Sequence, residues 1–153
     1  MGEFQETINL LGSKKAASYW RNVLEQPENI EEWLTLYPDH IRSRTPDFHY
    51  DILQDGAAGG FMAFAAPRGG AKSTVTDVVL GGFYALNGHK HHILIISDTY
   101  AQAKAHLGAL KYEIETNPLL GWLYPNAQGE VWGEERIMVK GRKGDVMVVA
   151  LGA

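Results

Sequence analysis

The chain alternates stretches whose apolar residues repeat at helical spacing with four short runs that read as strands. Over residues 13–25, Ala16, Trp20, Val23 and Leu24 share one helical face, and Pro27 stops the segment. Asn29, with Glu32 three positions on, has capping-box spacing for a short helix that carries Trp33, Leu34 and Tyr37 and ends at Pro38. Thr45-Pro46 reads as the N-cap and first position of a third helix, with Phe48, Ile52 and Leu53 on one side and Asp55-Gly56 at its end. Residues 61–66 are a continuous apolar run of strand length. After it, Val75, Val78, Val79, Gly82, Phe83 and Leu86 fall on one helical face. Gly81-Gly82 inside that helix costs about 1 kcal/mol per glycine, which a close approach of helix to sheet would explain.

Asn87-Gly88 ends this helix, and residues 93–96 form a second all-apolar run of the kind buried on both faces of a parallel sheet. Two strands joined by a helix predict a right-handed parallel crossover. Thr99 and Gln102 cap a further helix whose inward stripe is Ala103, Leu107, Leu110 and Ile114, and Asn117-Pro118 breaks it. Residues 122–125 read as a short docked turn. Residues 136–140 alternate, a Gly-bounded turn follows, and residues 146–151 form a stronger apolar strand, so the last third predicts an antiparallel hairpin.

The segment between the first run and its helix carries the chemistry. Ala66-Pro67-Arg68-Gly69-Gly70-Ala71-Lys72-Ser73-Thr74 is a Gly-rich loop that opens a helix. The backbone N–H groups of such a loop can curl around phosphate oxygens, and the helix start adds unpaired N–H groups and the positive end of its dipole. Lys72 would reach the β- and γ-phosphates, and the Ser73 hydroxyl would complete the shell of a phosphate-bound Mg²⁺. The strict pattern G-x-x-x-x-G-K-[ST] is not met. Ala66 stands at its first glycine and Ala71 directly before the lysine, while Gly69 and Gly70 still supply two positions where positive φ costs little. The plain structural alternative is a tight strand-to-helix turn with Lys72 and Ser73 as a solvated first turn.

The loop, with a strand before it and Ile93-Leu94-Ile95-Ile96-Ser97-Asp98-Thr99-Tyr100-Ala101-Gln102-Ala103 one helix later, resembles the ATPase domain of the large terminase subunit, the motor that packages DNA into phage procapsids. The resemblance runs from about Phe48 to the last residue and includes Asn117-Pro118. It implies an α/β fold of the P-loop NTPase-like (RecA/ASCE) type, a parallel sheet flanked by helices, over residues 46–153, while the N-terminal helical segment over residues 1–45 and the C-terminal hairpin are read from the spacing of apolar residues alone. It implies nucleotide binding by Pro67, Arg68, Gly69, Gly70, Ala71, Lys72, Ser73 and Thr74, with ATP and Mg²⁺ as cofactors. Lys72 and Arg68 would be catalytic, Arg68 at the γ-phosphate, and Ser73 would hold the metal through the nucleotide. The partners implied are double-stranded DNA, gripped by other parts of the motor, the small terminase subunit, and the portal of the procapsid. In related ATPases the adenine pocket lies just upstream of the loop's strand, which makes Phe48 and His49 candidates for the base. The acidic strand that holds Mg²⁺ and positions water follows later in that family, so the resemblance implies an incomplete domain, inactive by itself. Two alternatives stay open: another P-loop ATPase of helicase or recombinase type, and a nucleotide- or phosphate-binding module without hydrolysis.

Composition narrows this. A chain of 153 residues, 45% hydrophobic, can bury one core. No apolar run approaches membrane-spanning length, the N-terminus lacks a secretory pattern, and a cytoplasmic location in the host is expected. The absence of cysteine removes disulfides, thiolate nucleophiles and Cys-ligated zinc. A net charge of −4 argues against a broad DNA-gripping face. The local basic cluster, Lys140, Arg142 and Lys143, reads as a solvated hairpin tip or a DNA or subunit contact. His89, His91 and His92 lack metal-site spacing, and Asp98 reads as a capping residue. Ser73 and Ser97 have no identifiable base partner for a hydrolase.

Overall fold

The computed structural model describes residues 13–38, 45–65 and 71–153. The first predicted helix forms α1, Ser13–Leu24, followed by a 3-10 turn at Pro27–Asn29 and the short α2, Ile30–Leu34. Asn29 does not close a capping box. Its side-chain amide instead donates to the Val23 carbonyl at 2.9 Å, which ties α2 back to α1. Helix α3, Asp47–Ala58, starts one residue later than predicted, with Pro46 as its extended N-cap, and runs past Gly56 to Gly59.

Helix α4 is wound in two ways. Thr74–Leu80 is a π-helix and Gly81–Asn87 is α-helical, with residues 72 and 73 already helical ahead of them. The predicted apolar face is inward: Val75, Val78, Val79, Phe83 and Leu86 are buried. Trp33 is the centre of that core, edge-on to Phe83 at 5.7 Å and to Tyr124 at 5.9 Å, and its indole N–H donates to the Val79 carbonyl at 2.8 Å. The glycine pair does not serve contact with the sheet. A Cβ on Gly82 would lie 2.5 Å from the Tyr37 hydroxyl and one on Gly81 3.8 Å from Leu110, so the close neighbours are Tyr37 and the next long helix. Gly88, at φ 71°, ends α4 as predicted, and its own Cβ would meet the Lys143 backbone at 2.7 Å.

Strand β1, His92–Ser97, leads to α5, Tyr100–Thr116, whose N-cap Thr99 accepts from the Gln102 N–H at 3.2 Å, as its spacing predicts. Ala103, Leu107, Leu110 and Ile114 are all buried. Asn117 ends α5 and caps α6, Pro118–Leu123, accepting from Leu119 and Leu120 while its amide donates to the Leu36 carbonyl at 2.7 Å. Residues 122 and 123 thus end a helix, and the expected turn is confined to residues 124–126. Strands β2, Gln128–Trp132, β3, Arg136–Gly141, and β4, Gly144–Gly152, complete the fold.

The sheet overturns the expected P-loop NTPase-like architecture. It has four strands in the order β1-β4-β3-β2, of which β1 and β4 are parallel and the other two pairs antiparallel. The hairpin of residues 136–151 is the expected one, with Arg136 opposite Val149 and Lys140 opposite Asp145. The parallel neighbour of β1, however, is β4, whereas residues 61–65 form no strand at all. Three alanines in that six-residue run give it little β preference, and Gly59 at φ 82° and Gly60 at φ 109° turn the chain just before it. Phe61, Met62 and Phe64 remain exposed. Strand β4 takes the place beside β1 with the longer, β-branched run.

The helices cover one face of this sheet, where Ile95, Ile137, Val139, Val146, Val148 and Ala150 are buried. On the other face Leu94 is 57% exposed, Ile96 63% and Leu151 39%, so β1 is not buried on both faces as its composition predicts. The β3–β4 turn docks on α1. Arg142 pairs with Glu25 at 3.1 Å and Lys143 with the same carboxylate at 3.8 Å, so two of the three basic residues of this exposed hairpin tip also tie it to the end of α1. Among the described residues, no helix is long and apolar enough to cross a membrane.

Candidate functional site

Pro67, Arg68, Gly69 and Gly70 lie outside the described residues, as does Ala66. The second half of the loop is described. Ala71 has φ 53°, the left-handed region, and its carbonyl accepts from the Val75 N–H at 3.0 Å, so the helical hydrogen bonding begins at the residue before Lys72. A side chain in that region costs roughly 1–2 kcal/mol. This is the position just before the lysine, where the strict phosphate-loop pattern calls for glycine.

Lys72, Ser73 and Thr74 follow in the first turn. Lys72 is half-buried and Ser73 exposed. Both stand at one end of a cleft of about 590 Å³ between α4 and β1. The α4 wall is Lys72, Ser73, Thr76, Asp77, Leu80, Gly81 and Tyr84, and the opposite wall is the β1 run from Ile93 to Ser97, with Phe64 and His106 completing it. Because α4 and β1 are joined by a short turn and run in opposite directions, the polar start of the helix faces Ser97 and the apolar end faces Ile93. The cleft therefore grades from cationic and hydroxyl-bearing to aliphatic and aromatic along its length. Its size is that of a small-molecule site.

Two of the lining residues were not read as functional from the sequence. Asp77 Oδ2 lies 2.7 Å from His106 Nδ1, bridging α4 and α5 at the polar end. Asp77 Oδ1 accepts from the Thr76 hydroxyl at 3.1 Å, and the same hydroxyl reaches the Lys72 carbonyl at 3.0 Å. Burial raises the Asp77 carboxyl above its ordinary value, opposed by the Thr76 hydrogen bond and by His106. The available signal was positional: Asp77 is four residues past Ser73 on the same helix, and His106 adjoins the buried Leu107 on the flank of the α5 stripe.

The other candidates lie elsewhere. Phe48 packs against the core and edge-on to His49 at 4.4 Å, and neither lines the cleft. His89 and His91 bond to different backbone carbonyls, of Glu25 at 2.7 Å and of Asp145 at 3.3 Å. Asp98 is exposed, and the cap of α5 is Thr99. Ser97 donates to Gln102 at 3.2 Å. Among the described residues no three His, Asp or Glu side chains converge on a metal position. A Mg²⁺ ion here would have to arrive with phosphate oxygens and take only one or two protein ligands, which suits the Ser73 hydroxyl.

No protein-family model matches the chain, and neither a curated protein nor a solved structure matches it.

Proposed function

We propose that residues 67–74 hold the phosphates of Mg·ATP, and that this chain is the nucleotide-binding part of a DNA-packaging motor of the large terminase type, working in the host cytoplasm. The observation that carries the reading is the placement of Lys72 and Ser73 together at the start of the long helix, at the polar end of a cleft large enough for a nucleotide. Unpaired N–H groups and the helix dipole favour an anion there, and the motif puts a lysine and a serine at the same point. In this reading Lys72 neutralises charge on the β- and γ-phosphates, Ser73 reaches Mg²⁺, and Arg68 responds to the γ-phosphate. DNA, the small subunit and the portal engage other parts of the motor.

The mixed sheet favours a second reading. A phosphate loop of the motor family sits between a strand and a helix, and here only the helix half is formed. A module that binds nucleotide or phosphate without hydrolysis fits that geometry as well.

Calorimetry and phosphate release on the 153-residue chain test both. Weak Mg·ATP binding with negligible turnover is expected, and Lys72→Ala should abolish binding. In the complete motor, Arg68→Ala should keep ADP affinity while turnover falls by roughly the several orders of magnitude attributed to arginine fingers. Undiminished ATP affinity in Lys72→Ala would sink the nucleotide reading. Full packaging activity in Arg68→Ala would leave the binding module as the better account.

A further inference from the structure

The Asp77–His106 pair is the charged feature of the cleft that neither the loop motif nor the core accounts for. A pair that only tied two helices together could be closed off from solvent. This one keeps 30% of the histidine and 25% of the aspartate side chain exposed, and it stands where two cavities adjoin. One is the large cleft that Lys72 lines. The other is a smaller cavity of about 290 Å³ bounded by Ser73, Thr74, Val78, Ala105 and Ala109 as well as by the pair itself. Both cavities reach Ser73.

The chemistry of the ring then follows from its partner. With Nδ1 at 2.7 Å from the Asp77 carboxylate, that nitrogen carries a proton, and Nε2 is the remaining polar atom of the ring. When both ring nitrogens carry protons, Nε2 is a donor. The titratable and charged groups that line the two cavities around it are Asp77 and Lys72 from α4, with Tyr84 at the far, apolar end. Strand β1 contributes none there, since its lining residues run from Ile93 to Ser97.

We propose that His106 is a binding residue for the anionic end of the ligand in this cleft, donating from Nε2 to a phosphate oxygen held at Lys72 and Ser73, with Asp77 as its positioning residue. This rests on the phosphate-binding reading of Lys72 and Ser73, and it assigns the recognition of charge to α5 as well as to the loop. It makes the site one for a di- or triphosphate rather than for a neutral ligand, because donors from two helices, the Lys72 ammonium and the His106 ring, meet at one end.

The test uses the 153-residue chain and ATP in metal-free buffer, with affinities measured at pH 6 and pH 8 for the wild type, His106→Gln, Asp77→Asn and Lys72→Ala. Comparing each variant with the wild type at the same pH cancels the titration of ATP itself. His106→Gln is expected to weaken binding about tenfold at pH 6 and clearly less at pH 8, as loss of a charge-assisted donor requires. Asp77→Asn should shrink the same pH dependence. Saturating ATP should also shift the Nε2 resonance of His106 in the unmodified chain, a readout that does not depend on any variant folding. If Lys72→Ala abolishes binding while His106→Gln changes nothing at either pH and the resonance stays put, the His106 assignment is wrong and the loop reading stands. If the wild type takes up no ATP at millimolar concentration at either pH, both are wrong.

Discussion

Ala71 illustrates how a motif and a backbone angle say the same thing. The pattern search wants glycine before the lysine, and the chain at that residue sits at φ 53°, where glycine is the residue without penalty. Ala71→Gly should therefore raise the unfolding free energy by about 0.5–1 kcal/mol after the added entropy of the unfolded glycine is set against the relieved strain, measured from urea midpoints. A loss of that size would mean the angle is not what governs the position. Lys72, Ser73 and Thr74 could be singled out in the sequence because the motif that makes them candidates is an order along the chain. Asp77 and His106 were not, since 29 positions separate them and only the packing of α4 on α5 brings them to 2.7 Å.

Helices were the readable elements, and the reason lies in how they meet the core. The stripe Ala103, Leu107, Leu110 and Ile114 is inward because α5 is long enough for its periodicity to be unambiguous, and Thr99 fixes where it starts. Short apolar runs carry no such information. Residues 61–65 and 93–96 look alike as letters, yet the second pairs with β4 and the first pairs with nothing, a choice made by the partner strand rather than by the run. Glycines inside helices were legible as costly, but not their purpose. Gly82→Ala gains helix propensity worth about 1 kcal/mol, yet its Cβ would meet the buried Tyr37 hydroxyl at 2.5 Å. Overpacking of a filled core costs about 1–3 kcal/mol, so a net loss is expected. Gly108→Ala on α5 meets nothing within 4 Å and should gain about 1 kcal/mol, which makes it the control in the same unfolding experiment.

At the scale of the whole molecule, the core is organised around buried aromatic hydroxyls. Tyr124 donates to Asn87 at 2.6 Å, and burial holds its phenol, like that of Tyr37, well above the ordinary range. Both groups keep their protons in the folded state after the unfolded chain has lost them, so the folded state binds more protons above pH 10. Their contribution is complete below that pH and is lost as pH rises further. Urea midpoints should accordingly drop between pH 9 and pH 11, and Tyr124→Phe, less stable by about 1–2 kcal/mol at neutral pH, should close part of that gap at pH 11. Equal midpoints for the wild type across this interval would contradict the burial argument. The α/β class and the C-terminal hairpin could be read from the chain, whereas the mixed sheet could not, because strand order depends on contacts between distant segments.

The winding of α4 has a geometric result of its own. On an α-helix of 3.6 residues per turn, residues spaced by four drift around the axis by about 40° per step, and a row of four such residues ends roughly 120° from where it began. The π-wound stretch Thr74–Leu80 widens the turn, so that a step of four falls short of one full revolution there and offsets the overshoot of the α-helical residues on either side. Lys72, Thr76, Leu80 and Tyr84 therefore stand in single file beside β1 instead of spiralling away from it. A change in pitch over seven residues thus works as a straightening device, turning what would be a slanting row into one continuous wall that runs from ammonium to phenol.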